Sequence, residues 1–179
     1  MKKSLLLMLA LIMSLWTMAQ VLQTQSFDDP TFPPAGWVVT NAGTGNDWTR
    51  STSTPYAGAG TMFYGYHTNA ADTWAFTPGI TLTGGTTYYV DFYQKVQSAS
   101  YPERLKVTVG QGQTVAAQTT VIWNNAGGSN LTNETYIKRT ASFTPGATGT
   151  YNFAFNCYSE AYHWDLYVEI GRASCRERV

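Results

Sequence analysis

The feature that most constrains this sequence is a repeated alternation of apolar and polar residues, interrupted at short intervals by glycine and proline. Period-two alternation gives a β-strand one buried side and one solvent-facing side. Pairs such as Pro78-Gly79 and Gly84-Gly85 mark turns between the runs. The pattern predicts strands at Leu22–Phe27, Trp37–Thr40, Thr61–Tyr66, Thr73–Phe76, Tyr88–Phe92, Leu105–Val109, Ala117–Trp123, Tyr136–Phe143, Thr150–Cys157 and Trp164–Val168.

Many short strands without a helical period are typical of an all-β fold. We therefore predict a jelly-roll β-sandwich of two antiparallel sheets, formed as one domain by residues 20–168. Composition agrees with this prediction, because only 12% of the residues are charged while 15% are aromatic. Helical bundles need many more charged residues on their solvent-facing sides.

The first 19 residues have the pattern of a secretory signal peptide. Two lysines precede an apolar stretch from Leu5 to Trp16, and Thr17-Met18-Ala19 supplies small residues for cleavage before Gln20. The stretch is shorter than the roughly 20 residues of a membrane span. The prediction is export through the Sec route to a secreted or cell-surface location, with no membrane insertion after the signal is cleaved.

The last residues resemble a translated sequencing adapter rather than protein. Residues 170–179 match the translation of a common adapter, and only the first base of the Glu169 codon is then biological. We therefore predict that residues 169–179 are an artefact, that authentic sequence stops at Val168 and that the last strand is truncated. On this interpretation Cys157 is the one biological cysteine, and we expect it to be a buried thiol.

Removing both ends changes the charge of the chain. Formally the net charge is zero, but residues 20–168 carry 6 basic and 9 acidic residues, a net charge of −3. A mildly acidic domain lacks the basic surface by which proteins bind nucleic acid, so we expect no nucleic-acid partner.

Several local motifs occur in a familiar order. Phe27-Asp28 precedes Pro34-Ala35-Gly36-Trp37, which is followed by Trp74-Ala75-Phe76-Thr77-Pro78, Gly84-Gly85 and Leu166-Tyr167-Val168. This order resembles the choice-of-anchor J domains and the related cleaved-adhesin (gingipain-type, MAM-like) domains of exported Bacteroidota proteins. The resemblance implies a jelly-roll sandwich, type IX secretion, and a non-catalytic role as an adhesin or carbohydrate-binding accessory module in cell adhesion. We expect this module to be the N-terminal part of a longer exported protein. The alternative is a structural accessory domain of a secreted peptidase or glycoside hydrolase whose catalytic domain follows Val168.

The resemblance also implies structural calcium where the first and last strands meet. Calcium binds several convergent oxygen ligands. The matching residues are Asp28, Asp29 and Asp165. The alternative interpretation is that Asp28 and Asp29 are solvated turn residues before Pro30.

Carbohydrate binding would use exposed aromatic rings as apolar surfaces for sugars, with amide or acid side chains to bind the hydroxyls. The candidates lie near predicted loops and strand ends: Tyr56, Tyr66, Tyr101, Trp123, Tyr158 and Tyr162. In contrast, Trp37, Trp74 and Trp164 are predicted to be core residues. The expected partner is a glycan or a host or matrix protein.

The sequence contains none of the common catalytic motifs. His67 and His163 are the only histidines, and neither has metal-binding spacing. No nucleophile elbow or phosphate-binding loop is present. We expect no catalysis in this segment.

Overall fold

The computed structural model describes residues 21–170, together with the backbone of residues 176–177. Twelve strands occur in this part of the chain, with 3₁₀ turns at Val115–Ala117 and Asn125–Gly127. The strands are β1 (Val38–Asn41), β2 (Thr49–Ser51), β3 (Thr61–Tyr64), β4 (Thr73–Phe76), β5 (Ile80–Leu82), β6 (Tyr88–Val96), β7 (Leu105–Gly110), β8 (Thr120–Asn124), β9 (Ile137–Phe143), β10 (Gly149–Cys157), β11 (Leu166–Glu169) and β12 (Arg176–Glu177).

The strands form two antiparallel sheets. The first has the order β1-β4-β10-β7-β8, and β5 pairs with the start of β10. The second contains β2, β3, β11 and β6 in that order, with β9 and β12 also paired to β6. The prediction of a jelly-roll β-sandwich is therefore confirmed.

Aromatic side chains hold the two sheets together. Phe92 of β6 meets Phe155 of β10 edge to face, with ring centroids 5.5 Å apart. The buried indole of Trp48 donates from Nε1 to the carbonyls of Thr73 and Phe155, each at 3.1 Å. Satisfying the indole N–H inside the core allows this large ring to be buried.

One predicted strand, Leu22–Phe27, is wrong. The segment forms no strand because the Gln25 side chain accepts the Phe27 N–H at 2.9 Å and Phe27 adopts a φ of +54°. Strands β2 and β5 were not predicted, since three residues are too few to show a period.

The predicted signal peptide and most of the predicted adapter-derived tail lie outside the described residues. Glu169 ends β11 as a buried residue, and Ile170 packs in the core. The adapter origin of residues 169–179 stays a prediction. The buried thiol at Cys157 is confirmed. Within the described ranges, the structure contains no helix long and apolar enough to cross a membrane.

Candidate ligand-binding site

Four aromatic rings meet at one end of the second sheet and form what we call the ring cluster: Tyr66, Tyr101, Tyr162 and Trp164. They line a cavity of about 520 Å³. The rings are between 44% and 62% exposed, and Tyr101 meets Trp164 edge to face with centroids 5.5 Å apart. The strand order explains this convergence, because β11 lies between β3 and β6 and all three loops leave the sheet at the same end.

Hydrogen bonds fix the loops that carry the rings. The Tyr66 N–H donates to Asp165 Oδ1 at 3.0 Å, and the Tyr162 N–H donates to the His67 carbonyl at 3.0 Å. Asn46 Nδ2 donates to the carbonyls of Gly65 and Tyr66 at 3.1 and 3.0 Å. The rings are therefore placed before any ligand arrives, which reduces the ordering cost of binding.

Two of the carboxyl groups in the loops of the ring cluster, those of Asp165 and Glu103, have raised pKa values. Partial burial raises the pKa of Asp165, although bonds from the Tyr66 N–H and the Tyr167 hydroxyl act in the opposite direction. Glu103 is fully buried, and neither of its carboxyl oxygens has a hydrogen-bond partner. This burial raises the pKa of Glu103 to about 8, so its carboxyl is mostly protonated at neutral pH.

The structure brings together three of the six aromatic residues predicted to bind ligand and places the other three elsewhere. Tyr56 stacks on Tyr93, with ring centroids 3.8 Å apart. Trp123 packs edge to face against Phe92 at 5.0 Å. The Tyr158 hydroxyl donates to Asn124 Oδ1 at 2.7 Å, and the half-buried ring lies under Lys106.

Trp164 is the ring that sequence reasoning missed. It was predicted to be a core residue, like Trp37 and Trp74, and both of those are buried. Trp164 is 44% exposed because β11 begins only at Leu166, so the alternation does not extend back to residue 164. The available signal was the density of rings between β10 and β11, where Tyr158, Tyr162 and Trp164 fall within seven residues.

The candidate calcium ligands Asp28 and Asp29 form turn contacts with main-chain N–H groups. Asp28 Oδ1 accepts the Ala59 N–H at 2.5 Å, and Asp29 Oδ1 accepts the Thr31 N–H at 2.7 Å. These bonds are the main reason that the pKa of each carboxyl lies below its usual range.

An arginine occupies the oxygen-rich corner beside Asp28. Arg50 Nε donates to the Phe27 carbonyl at 2.6 Å, and Arg50 Nη2 donates to the carbonyls of Asp28 and Ala59 at 3.1 and 3.0 Å. Gly60 makes room for this group, because a Cβ there would lie only 2.5 Å from Arg50 Nε. We call this arrangement the arginine corner.

The arginine corner and Asp165 lie at opposite ends of β3. Asp28 bonds Ala59, which precedes β3, and Asp165 bonds Tyr66, which follows it. Seven residues of extended chain span roughly 20 Å, whereas calcium ligands lie within about 2.6 Å of the ion. Asp28 and Asp165 therefore do not fit one calcium site. In residues 21–170, no group of three or more His, Cys, Asp or Glu side chains is placed to hold a metal ion.

Comparisons with known proteins agree on the fold. No protein-family model matches the sequence, and no curated protein matches it either. Among solved structures, two cleaved adhesin domains of Lys-gingipain from Porphyromonas gingivalis superpose with TM-scores of 0.66 and 0.68, at 16% and 17% identity. The matches cover 88% and 84% of this chain, and 97% and 96% of those domains.

A second kind of domain shares the same fold. The CBM22-1 xylan-binding domain from Paenibacillus barcinonensis matches with a TM-score of 0.58 and 14% identity, covering 89% of this chain and 93% of that domain. The chain therefore has the β-sandwich fold found in bacterial cleaved adhesin domains and in xylan-binding modules. At these identities the likeness establishes the fold, and function must be argued from the site.

Proposed function

We propose that this chain is a non-catalytic, secreted or cell-surface module that binds polysaccharide through the ring cluster. The observation that carries the proposal is the convergence of four half-exposed rings, from three separate loops, on one cavity. Soluble proteins usually bury such rings, so a group of them at the surface is typical of a binding site. The cavity volume lies within the range of about 300–1,000 Å³ that is usual for small-molecule sites.

The chemistry of the rings suits sugars. The apolar face of a sugar ring stacks on an aromatic face, while phenol and indole groups supply hydrogen bonds to hydroxyls. Tyr101 and Trp164 stand nearly perpendicular, at 74°, so they form two walls rather than one flat platform. This geometry favours a sugar chain seated between the rings over a flat crystalline surface.

The buried carboxyl supports a non-catalytic role. Glycoside hydrolysis needs two carboxyl groups that both reach the bond being cleaved. Glu103 is fully buried, and Asp165 uses one carboxylate oxygen to hold the Tyr66 N–H. Asp165 and Glu103 therefore do not form such a pair, and the exposed carboxylate of Glu160 in the same loops is paired with Arg104 at 2.7 Å.

The two kinds of structural neighbour both support a binding function, one as an adhesin and the other as a polysaccharide-binding domain. The gingipain domains are named as adhesins, and the Paenibacillus domain is named as xylan-binding. Both are binding domains rather than catalytic ones. For this chain we propose a glycan as the primary partner, with export to the cell exterior as the sequence predicts.

A polysaccharide panel tests this function. The purified chain should bind at least one neutral polysaccharide, such as xylan, mannan or a soluble β-glucan, in affinity electrophoresis. Trp164→Ala and Tyr101→Ala should each weaken that binding by at least about tenfold, since aromatic anchors commonly dominate binding energy.

Tyr56→Ala is the matched control, because Tyr56 is also an exposed tyrosine, at 46%, but lies outside the ring cluster. Binding to fibronectin or collagen with no binding to any polysaccharide contradicts the proposal. So does binding that survives both ring substitutions.

A further inference from the structure

The loops that carry the ring cluster are poor in positive charge. Residues 65–72, 97–104 and 158–165 contain four acidic side chains and one basic one, Arg104. Arg104 forms a salt bridge with Glu160, in which Nη2 lies 2.7 Å from Oε1, so its positive charge is already paired. Two of the acidic side chains do not face the cavity as free carboxylates. Asp72 Oδ1 accepts hydrogen bonds from Trp74 and Asn156, and Glu103 is buried.

Asp165 is the carboxylate that remains beside the rings. It directly follows Trp164, and its Oδ1 holds the N–H of Tyr66, so it is fixed between two members of the ring cluster. Its side chain is partly exposed. No described Lys or Arg of these three loops lies free to neutralise it. The nearby Lys95 of β6 instead lies over the Tyr167 ring, 4.6 Å from its centroid, and the Tyr167 hydroxyl donates to Asp165 Oδ2 at 3.4 Å.

The aromatic rings have the same electrostatic preference as Asp165. Each ring presents a negative π face, which attracts cations and repels anions. His67 is held within its own loop, where its Nδ1 accepts the Asn69 N–H at 2.9 Å. A carboxylate or sulfate on a bound sugar would therefore meet negative potential from both the rings and the carboxylate.

We propose that the ring cluster selects sugars by charge, accepting neutral and cationic units and rejecting anionic ones, and that Asp165 sets this selectivity. The inference rests on the proposed function and narrows its substrate class. Selectivity of this kind comes from a repulsive element built into the site rather than from an added contact.

Polysaccharides that share one backbone but differ in charge test the inference. Among β-1,4-linked polymers, hydroxyethyl cellulose is neutral, protonated chitosan is cationic and carboxymethyl cellulose is anionic. Polygalacturonate and hyaluronan are two further anionic polymers. We expect the best anionic polymer to bind at least about tenfold more weakly than the best neutral one at low salt. The difference should shrink at high salt, because the Debye length falls from about 30 Å at 0.01 M to about 3 Å at 1 M.

Asp165→Asn should raise the ratio of anionic to neutral affinity by about tenfold, and asparagine still offers Oδ1 to the Tyr66 N–H. Asp29→Asn is the matched control, since it removes one carboxylate at the arginine corner instead. If Asp165→Asn fails to fold, the salt dependence of the unaltered protein decides the question. Anionic polymers that bind as tightly as neutral ones overturn the inference and leave polysaccharide binding intact, whereas binding to no polysaccharide contradicts the proposed function itself.

Discussion

The two ends of β3 are built in different ways. Before the strand, the arginine corner joins three main-chain carbonyls through one guanidinium. After the strand, main-chain and side-chain hydrogen bonds fix the loops and leave four rings facing solvent. The first arrangement uses a charged side chain to hold the fold together, and the second keeps aromatic side chains available for contact with a ligand.

This difference predicts that substitutions can change stability and the proposed ligand binding separately in this domain. Substitutions at the arginine corner should change unfolding but not binding, and substitutions in the ring cluster should do the reverse.

Glu103 is an exception to this separation, because it lies two residues from Tyr101 and is expected to affect stability. Its pKa is about 8 in the folded protein and near 4.5 in the unfolded chain, so folding favours the protonated form. Its contribution is complete below about pH 4.5 and is lost as the pH rises toward 8. We expect the free energy of unfolding to fall by roughly 4 kcal/mol between pH 5 and pH 8.

Urea unfolding at several pH values measures this slope, and Glu103→Gln should flatten it. Glu134→Gln serves as control, since Glu134 is exposed and should leave the slope unchanged. An equally steep slope in Glu103→Gln shows that another group is responsible.

Arg50→Met tests the arginine corner. The substitution leaves three carbonyl oxygens without their charged donor, and hydrogen bonds to charged groups contribute about 1.5–3 kcal/mol each. We expect a loss of about 2–3 kcal/mol in the free energy of unfolding, with polysaccharide affinity unchanged. Arg50→Lys should recover only part of the loss, because an ammonium lacks the planar fork that reaches all three carbonyls.

Calcium removal tests the arginine corner in a second way. Because Arg50 already engages the carbonyls near Asp28, we expect the melting temperature of the unaltered protein to be equal in calcium and in EDTA. A clear rise in calcium, lost in Asp28→Asn, restores the original expectation of a calcium site in this corner.

Tyr56→Ala should destabilise the domain less than the substitution of Arg50. The ring loses its stack on Tyr93, which predicts a destabilisation of about 1 kcal/mol. Polysaccharide affinity should stay within twofold of the unaltered protein, as measured by calorimetry. A large loss of affinity would extend the binding site along the face of β6.

The sequence allowed most of the strands and the fold to be predicted, because alternation reports directly which face of a strand is buried. β4, for example, lies where the sequence predicts it, at Thr73–Phe76. The failures occurred where side chains override the pattern, as at Phe27, where a local hydrogen bond and a positive φ replace a strand.

The site was harder to predict than the fold. Tyr66, Tyr101 and Tyr162 were predicted to bind ligand because they lie near strand ends, but nothing in the sequence shows that their loops meet. That convergence depends on the placement of β11 between β3 and β6. The role of Arg50 could not be predicted from the sequence. Its partners are main-chain carbonyls, which every residue type has, so no sequence pattern marks them.

Binding and unfolding measured on one double variant, Tyr101→Ala with Trp164→Ala, test whether the ring cluster binds polysaccharide without stabilising the fold. Calorimetry with the best neutral polysaccharide should show an affinity loss of at least about 30-fold, corresponding to about 2 kcal/mol. Urea unfolding of the same sample should stay within about 1 kcal/mol of the unaltered protein, since both rings are 44–47% exposed. Retained binding, or a loss of stability as large as the loss of affinity, would contradict the account.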